Sequence, residues 1–138
     1  MTRVLKGTGF LALLLLGSLL SSCSSEDTHE AIMKDHLALM EKAAAILEAV
    51  ENKDSTAEAG KKLEQLSAQF EEIGKRSEAI GTLDKDSGTA LQEKFKTRQE
   101  EVSTRMIKAS SAAITKSGEM QKILQDLAKV MAHQRKQL

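Results

Sequence analysis

The side chains best equipped for chemistry in this 138-residue chain are its histidines and methionines. His29, Met33, His36 and Met40 follow one another at steps of four, three and four, so a helix carries all four on one face. His133 stands near the far end of the chain. Imidazole and thioether ligands together suit copper, or the axial positions of a haem. The same pattern has a plainer meaning, since methionines on an apolar helical face usually fill the core and a single inward histidine is usually neutral and hydrogen-bonded. Gln134, three and seven residues beyond Met131 and Leu127, continues their stripe, and His133 is rotated about 120° from its centre, toward a rim. We therefore assign no metal and no cofactor from the sequence. Met33, His36, Met40 and His133 stand as the candidate ligands, with His36 expected to be buried.

Other chemistry has less support. No glycine-rich phosphate loop and no supported Ser/His/Asp arrangement occurs. The pairs Glu71-Glu72 and Glu100-Glu101 diverge by about 100° on a helix and fall on solvated faces. Carboxylate-bridged metal bundles use Glu-x-x-His, which the sequence lacks. The expectation is that the protein is not an enzyme.

The elements that would position these residues are all helical. Trp, Tyr and Pro are absent, hydrophobic residues make up 41% of the chain and charged residues 29%, and beyond the first 22 residues Ala, Leu, Glu, Lys and Gln dominate. The first helix is expected to open at Asp27 with Glu30 as a capping box, to carry Met33, His36, Met40, Ala43, Ala44, Leu47 and Val50 inward, and to end near Asn52-Lys53-Asp54. Ser55 with Glu58 reads as a second capping box. The stripe Ala59, Leu63, Leu66, Phe70, Ile73, Ser77 and Ile80 follows in alternating fours and threes, with Gly81 placed to close the helix. A turn at 83–88 leads to a third helix with Leu91, Phe95, Val102, Met106, Ala109 and Ala113 on one face, and Ile107 and Ile114 in a narrower second stripe. The pattern falters at Ser117-Gly118 and resumes at Met120, Ile123, Leu124, Leu127, Val130 and Met131.

A helix running unbroken from 89 to 135 would be roughly 70 Å long against some 40 Å for the first two. Folding back at Gly118 buries the last stripe. The expected fold is therefore all-α, an up-down antiparallel bundle of three long helices and a shorter fourth. The fourth helix would run beside the first, bring His133 level with His36 and Met40, and cover Ile107 and Ile114.

The N-terminus determines where such a bundle would reside. Arg3 and Lys6 precede an apolar run, Phe10 to Leu20, of the length of a signal-peptide h-region and too short to span a bilayer. The run ends in Leu20-Ser21-Ser22-Cys23, which resembles the lipobox of bacterial lipoproteins: an aliphatic residue, two small residues and a cysteine. That resemblance implies a signal peptide over 1–22, cleavage before Cys23, a diacylglyceryl thioether on Cys23 and acylation, commonly palmitate, of its amine. Ser24 stands where the family's inner-membrane retention signal has aspartate, which implies an outer-membrane lipoprotein facing the periplasm. Residues 23–26 would be the lipidated terminus and linker, and 27–138 the bundle domain. A linker this short holds the bundle against its membrane.

Two further resemblances span the mature chain. Met33 near the start and His133-Gln134-Arg135 near the end resemble the ligand positions of b562-type cytochromes, four-helix haem bundles, without the haem-attaching cysteines of their c-type relatives. The lipobox and heptads also resemble the small murein lipoproteins, which end in a lysine joined to peptidoglycan; here the last residues are Lys136-Gln137-Leu138. As a whole the chain resembles small helical envelope lipoproteins of unassigned activity. Beyond Ser22 the acids exceed the bases by two and Phe70 and Phe95 are the remaining aromatics, so nucleic acid is not an expected partner. The expected partners are the membrane, through the lipid, and an envelope protein; the oligomeric state is left open. The expected function is a structural or protein-interaction role in the cell envelope, with a periplasmic metal- or haem-binding bundle as the alternative.

Overall fold

The computed structural model of the chain describes residues 28–135, apart from the side chains of Val130, Met131, His133, Gln134 and Arg135. Four helices follow in order: α1 (His29–Glu48), α2 (Lys53–Ile80), α3 (Lys85–Lys116) and α4 (Glu119–Arg135). This is the expected all-α bundle with a shorter last helix, and the chain breaks where the sequence pattern falters. Ser117 is extended and Gly118 precedes the first residue of α4. The Ser117 N–H still bonds to Ala113 and its carbonyl accepts from Met120, so the reversal strands neither group.

Helix boundaries differ from expectation by one to four residues. α1 is capped by Thr28, whose hydroxyl accepts from the Ala31 N–H. Glu30 is therefore not the reciprocal member of a box; it pairs with Lys34 and Lys94 instead. Asp27 lies outside the described residues. α1 stops at Glu48, short of Asn52. Asn52 is the N-cap of α2, with Ser55 as the returning member of the capping box. The Asn52 side-chain oxygen accepts from the Ser55 N–H, and Ser55 Oγ accepts from the N–H groups of both Glu51 and Asn52. Three local bonds thus close the box one turn earlier than a Ser55–Glu58 pair would. Glu58 is left to Lys62, one turn on. Gly81, at φ 76°, closes α2 in a conformation that other residues adopt at a cost. Asp84 caps α3 by accepting from Asp86 and Ser87.

Chain direction alternates, and the cross-helix pairs reveal which helices are neighbours. Glu41 meets Arg98 and Glu48 meets Arg105, so α1 and α3 run parallel in heptad register. Asp35 meets Arg76 and His29 meets Gly81, which makes α1 and α2 antiparallel. Lys53 pairs with Glu119, and Gly60 faces Ile123, so α2 and α4 are parallel. The main interfaces are α1 with α3, α1 with α2, and α2 with α4, with a smaller one between α3 and α4. The hydrophobic pattern predicts α4 beside α1 and over Ile107 and Ile114. Instead it packs along α2, Ile107 is 68% exposed and Ile114 36% exposed. Gly60 accounts for part of this: with no Cβ it lets Ile123 approach the α2 backbone closely, and an added Cβ would lie 3.1 Å from Ile123 Cδ1.

One core runs through the four helices. α1 contributes Ile32, Leu37, Leu39, Ala43, Ala44 and Leu47; α2 contributes Leu63, Leu66, Phe70 and Ile73; α3 contributes Phe95, Val102, Ala109 and Ala113; α4 contributes Met120 and Leu127. Ala43 and Ala44, fully buried, allow close approach of α1 to its two partners. Val50, also fully buried, plugs the end of the core above α1.

Candidate functional site

The histidine and methionine face of α1 is real, but its members diverge. Met40 is buried in the core. Met33 is partly buried and its sulfur accepts from Gln99 Nε2 on α3 at 3.5 Å. His36 is half-buried, not buried as expected, and stacks T-shaped with Phe70 of α2, with centroids 5.5 Å apart and planes at 70°. That is a favourable aromatic geometry. His29 donates from Nε2 to the Gly81 carbonyl at 2.8 Å, tying the start of α1 to the end of α2. Eight residues of one face, His29 to His36, thus serve three different neighbours: the α2 terminus, the α3 flank and the α2 core.

The backbone of His133 belongs to α4, which packs on α2, and α1 and α4 share no substantial interface. The side chain of His133 lies outside the described residues. Among the described residues no group of three or more His, Cys, Asp or Glu is placed to hold a metal ion. Cys23, the expected lipidation site, and residues 1–22, expected to be a signal peptide, also lie outside the described residues. Among those residues no helix is long and apolar enough to cross a membrane.

A ladder of glutamate–cation pairs, which the hydrophobic pattern does not reveal, organises the α1–α3 seam. Glu30, Glu41 and Glu48 on α1 bond to Lys94, Arg98 and Arg105 on α3, at 2.7, 3.0 and 2.6 Å for the closest contacts. The last pair is bidentate, Arg105 Nε and Nη2 each donating to one Glu48 oxygen. Hydrogen bonds from Lys34 and Lys94 hold the Glu30 carboxyl down to about 2. The guanidinium of Arg98 lowers Glu41, and that of Arg105 lowers Glu48. The seven-residue spacing of Glu41 and Glu48, matched by that of Arg98 and Arg105, was the available signal. Beside it lies a shallow, charged groove of about 500 Å³ between α1 and α3, lined by Glu48, Glu100, Glu101, Thr104, Arg105 and Lys108. Its one close ion pair is internal, and nothing buried points into it, so the groove has the character of a solvated seam.

In comparisons with protein-family models, curated proteins and solved structures, the chain matches none.

Proposed function

We propose that this is a lipid-anchored protein of the bacterial cell envelope, held at the outer membrane by acyl chains on Cys23 and acting through protein contacts, with no catalytic role. The observation that carries the reading is Leu20-Ser21-Ser22-Cys23 at the end of a charged, then apolar, N-terminal segment. Two or more acyl chains give stable attachment where one does not. The interaction role draws support from Ile107 and Ile114, a turn pair apart on the same flank of α3, which α4 leaves uncovered.

Replacing the anchor tests the reading. In cells, Cys23→Ala is expected to abolish incorporation of labelled palmitate and to move the protein from the membrane to the soluble fraction. Inhibition of the lipoprotein signal peptidase is expected to accumulate an unprocessed, lipidated form of the wild type. Unchanged membrane attachment of Cys23→Ala would refute the anchor. The interaction role is checked separately with a photo-crosslinking residue at Ile107, which should give a discrete adduct that the same residue at Lys61, exposed on α2, does not give.

A further inference from the structure

The start of α1 and the turn between α2 and α3 (residues 81–84) occupy the same end of the bundle, joined by the His29–Gly81 hydrogen bond. The α1–α3 pairs fix how far α3 extends at that end. Taking the register from Glu41–Arg98 sets His29 level with residue 86, and taking it from Glu30–Lys94 sets it level with residue 93. Either way the first residue of α3, and the turn before it, lie level with the start of α1 or beyond it. This turn carries Leu83, 36% exposed. The other exposed large hydrophobics among the described residues, Ile107 and Ile114, lie along α3 roughly 33 and 44 Å from Lys85.

The length of chain ahead of α1 names what lies next to this end. Five residues from Cys23 to Thr28 span at most about 18 Å when fully extended. Acyl chains on Cys23 therefore bring the headgroup layer to the end of the bundle where Leu83 is exposed, and to no other exposed large hydrophobic residue among those described. The Asp84 carboxylate is already engaged as the α3 cap; Glu78 and Asp86 stand near the turn in sequence as well as Lys75 and Lys85, so the flanking charges do not attract anionic headgroups and the contact rests on Leu83.

We propose that the α2–α3 turn is a lipid-contact surface: Leu83 seats in the interfacial layer of the bilayer that holds Cys23, so that the bundle stands on end. This inference rests on the lipid anchor proposed above. It places Ile107 and Ile114 some 30 Å or more from the membrane, facing the aqueous compartment.

The test uses the lipidated full-length protein in vesicles of phosphatidylethanolamine and phosphatidylglycerol. Because the chain's one cysteine is consumed by lipid, a cysteine introduced elsewhere is its one free thiol. Thr82→Cys and Ile107→Cys, each labelled with a fluorophore, are compared for quenching by nitroxide-bearing lipids, with flotation reporting attachment. The Thr82 label should be quenched several-fold more than the Ile107 label, and adding Leu83→Glu to the Thr82→Cys protein should remove most of that difference without loss of flotation. Flotation with an unquenched Thr82 label would overturn the lipid contact while leaving the anchor intact. Equal quenching at both positions would mean that the bundle lies on its side, which also overturns it. Failure to float would remove the anchor and this inference with it.

Discussion

At the scale of single residues, His36 shows how a pattern that could bind metal resolves into packing. Its ring meets Phe70 in a T-shaped contact, and Met33, one turn earlier, is engaged by Gln99 on a different helix. The two side chains answer to different neighbours, so neither needs the other. His36→Leu keeps a similar volume, gives up an edge-to-face contact and removes a polar ring from a half-buried site; the change in stability is expected to stay within about 1 kcal/mol. Phe70 is different. It is fully buried at the centre of α2, and Phe70→Ala is expected to cost about 3–5 kcal/mol. Thermal unfolding with and without Cu(I) or haem checks the first expectation: neither ligand should raise the Tm of the wild type more than that of His36→Leu or Met33→Leu. A rise that disappears with either side chain would make the α1 face a binding site, since what binds only the folded state stabilises it.

At the scale of elements, two devices set the arrangement of helices. The first is the glutamate–cation ladder of α1 and α3. Glu30, Glu41 and Glu48 all have carboxyl pKa values below the ordinary 4.5, Glu30 at about 2. Groups depressed in the folded state stabilise it above their unfolded pKa, and that contribution is lost as pH falls through the folded value. The Tm should therefore hold above pH 5 and decline between about 4.5 and 2, with a smaller decline for Glu30→Gln. Because these pairs are exposed, the effect should shrink in 1 M salt. The second device is Gly60 against Ile123. Gly60→Ala gains helix propensity, about 1 kcal/mol at most, but its Cβ meets Ile123 Cδ1 at 3.1 Å. Ile123 is only partly buried and its end can shift, so the single substitution should stabilise by a few tenths of a kcal/mol. Combined with Ile123→Val, which removes the opposing methyl, it should recover more of the propensity gain than either change predicts alone. Strict additivity in denaturant titrations would show that α4 does not approach α2 at this point.

Much of this element-level order could be read from the residues. The stripe from Ala59 to Ser77, the close at Gly81 and the break near Ser117 all appear in the structure because each rests on local chemistry: 3.6-residue periodicity, a left-handed glycine, an interrupted pattern. The α1 cap is Thr28, one residue past Asp27, and the α2 cap is Asn52, three residues before Ser55, because each competes with its neighbour for the same role and only backbone geometry selects the winner. The side on which α4 packs was not legible at all. Its stripe fits any apolar groove, and the choice of α2 depends on a missing Cβ at Gly60, a three-dimensional fact. For the candidate site, the sequence supplied the shared face of His29, Met33, His36 and Met40, but not that its members turn to different helices.

At the scale of the whole molecule, the bundle has two distinct ends. At one, the start of α1, whose Thr28 cap is five residues after Cys23 in sequence, and the α2–α3 turn come together. Toward the other, α3 outlasts α1, carrying 32 residues to its 20, and α4 turns back along α2 from Ser117-Gly118. A tether of five residues makes this polarity functional only if Cys23 is truly the attachment point. The most direct measurement is therefore intact-mass and N-terminal peptide mass spectrometry of the protein extracted from bacterial membranes. The account predicts a mature N-terminus at Cys23 carrying diacylglycerol on its sulfur and a fatty acyl group on its amine, with residues 1–22 gone. A mature protein that begins elsewhere, or that carries an unmodified Cys23 thiol, would contradict it.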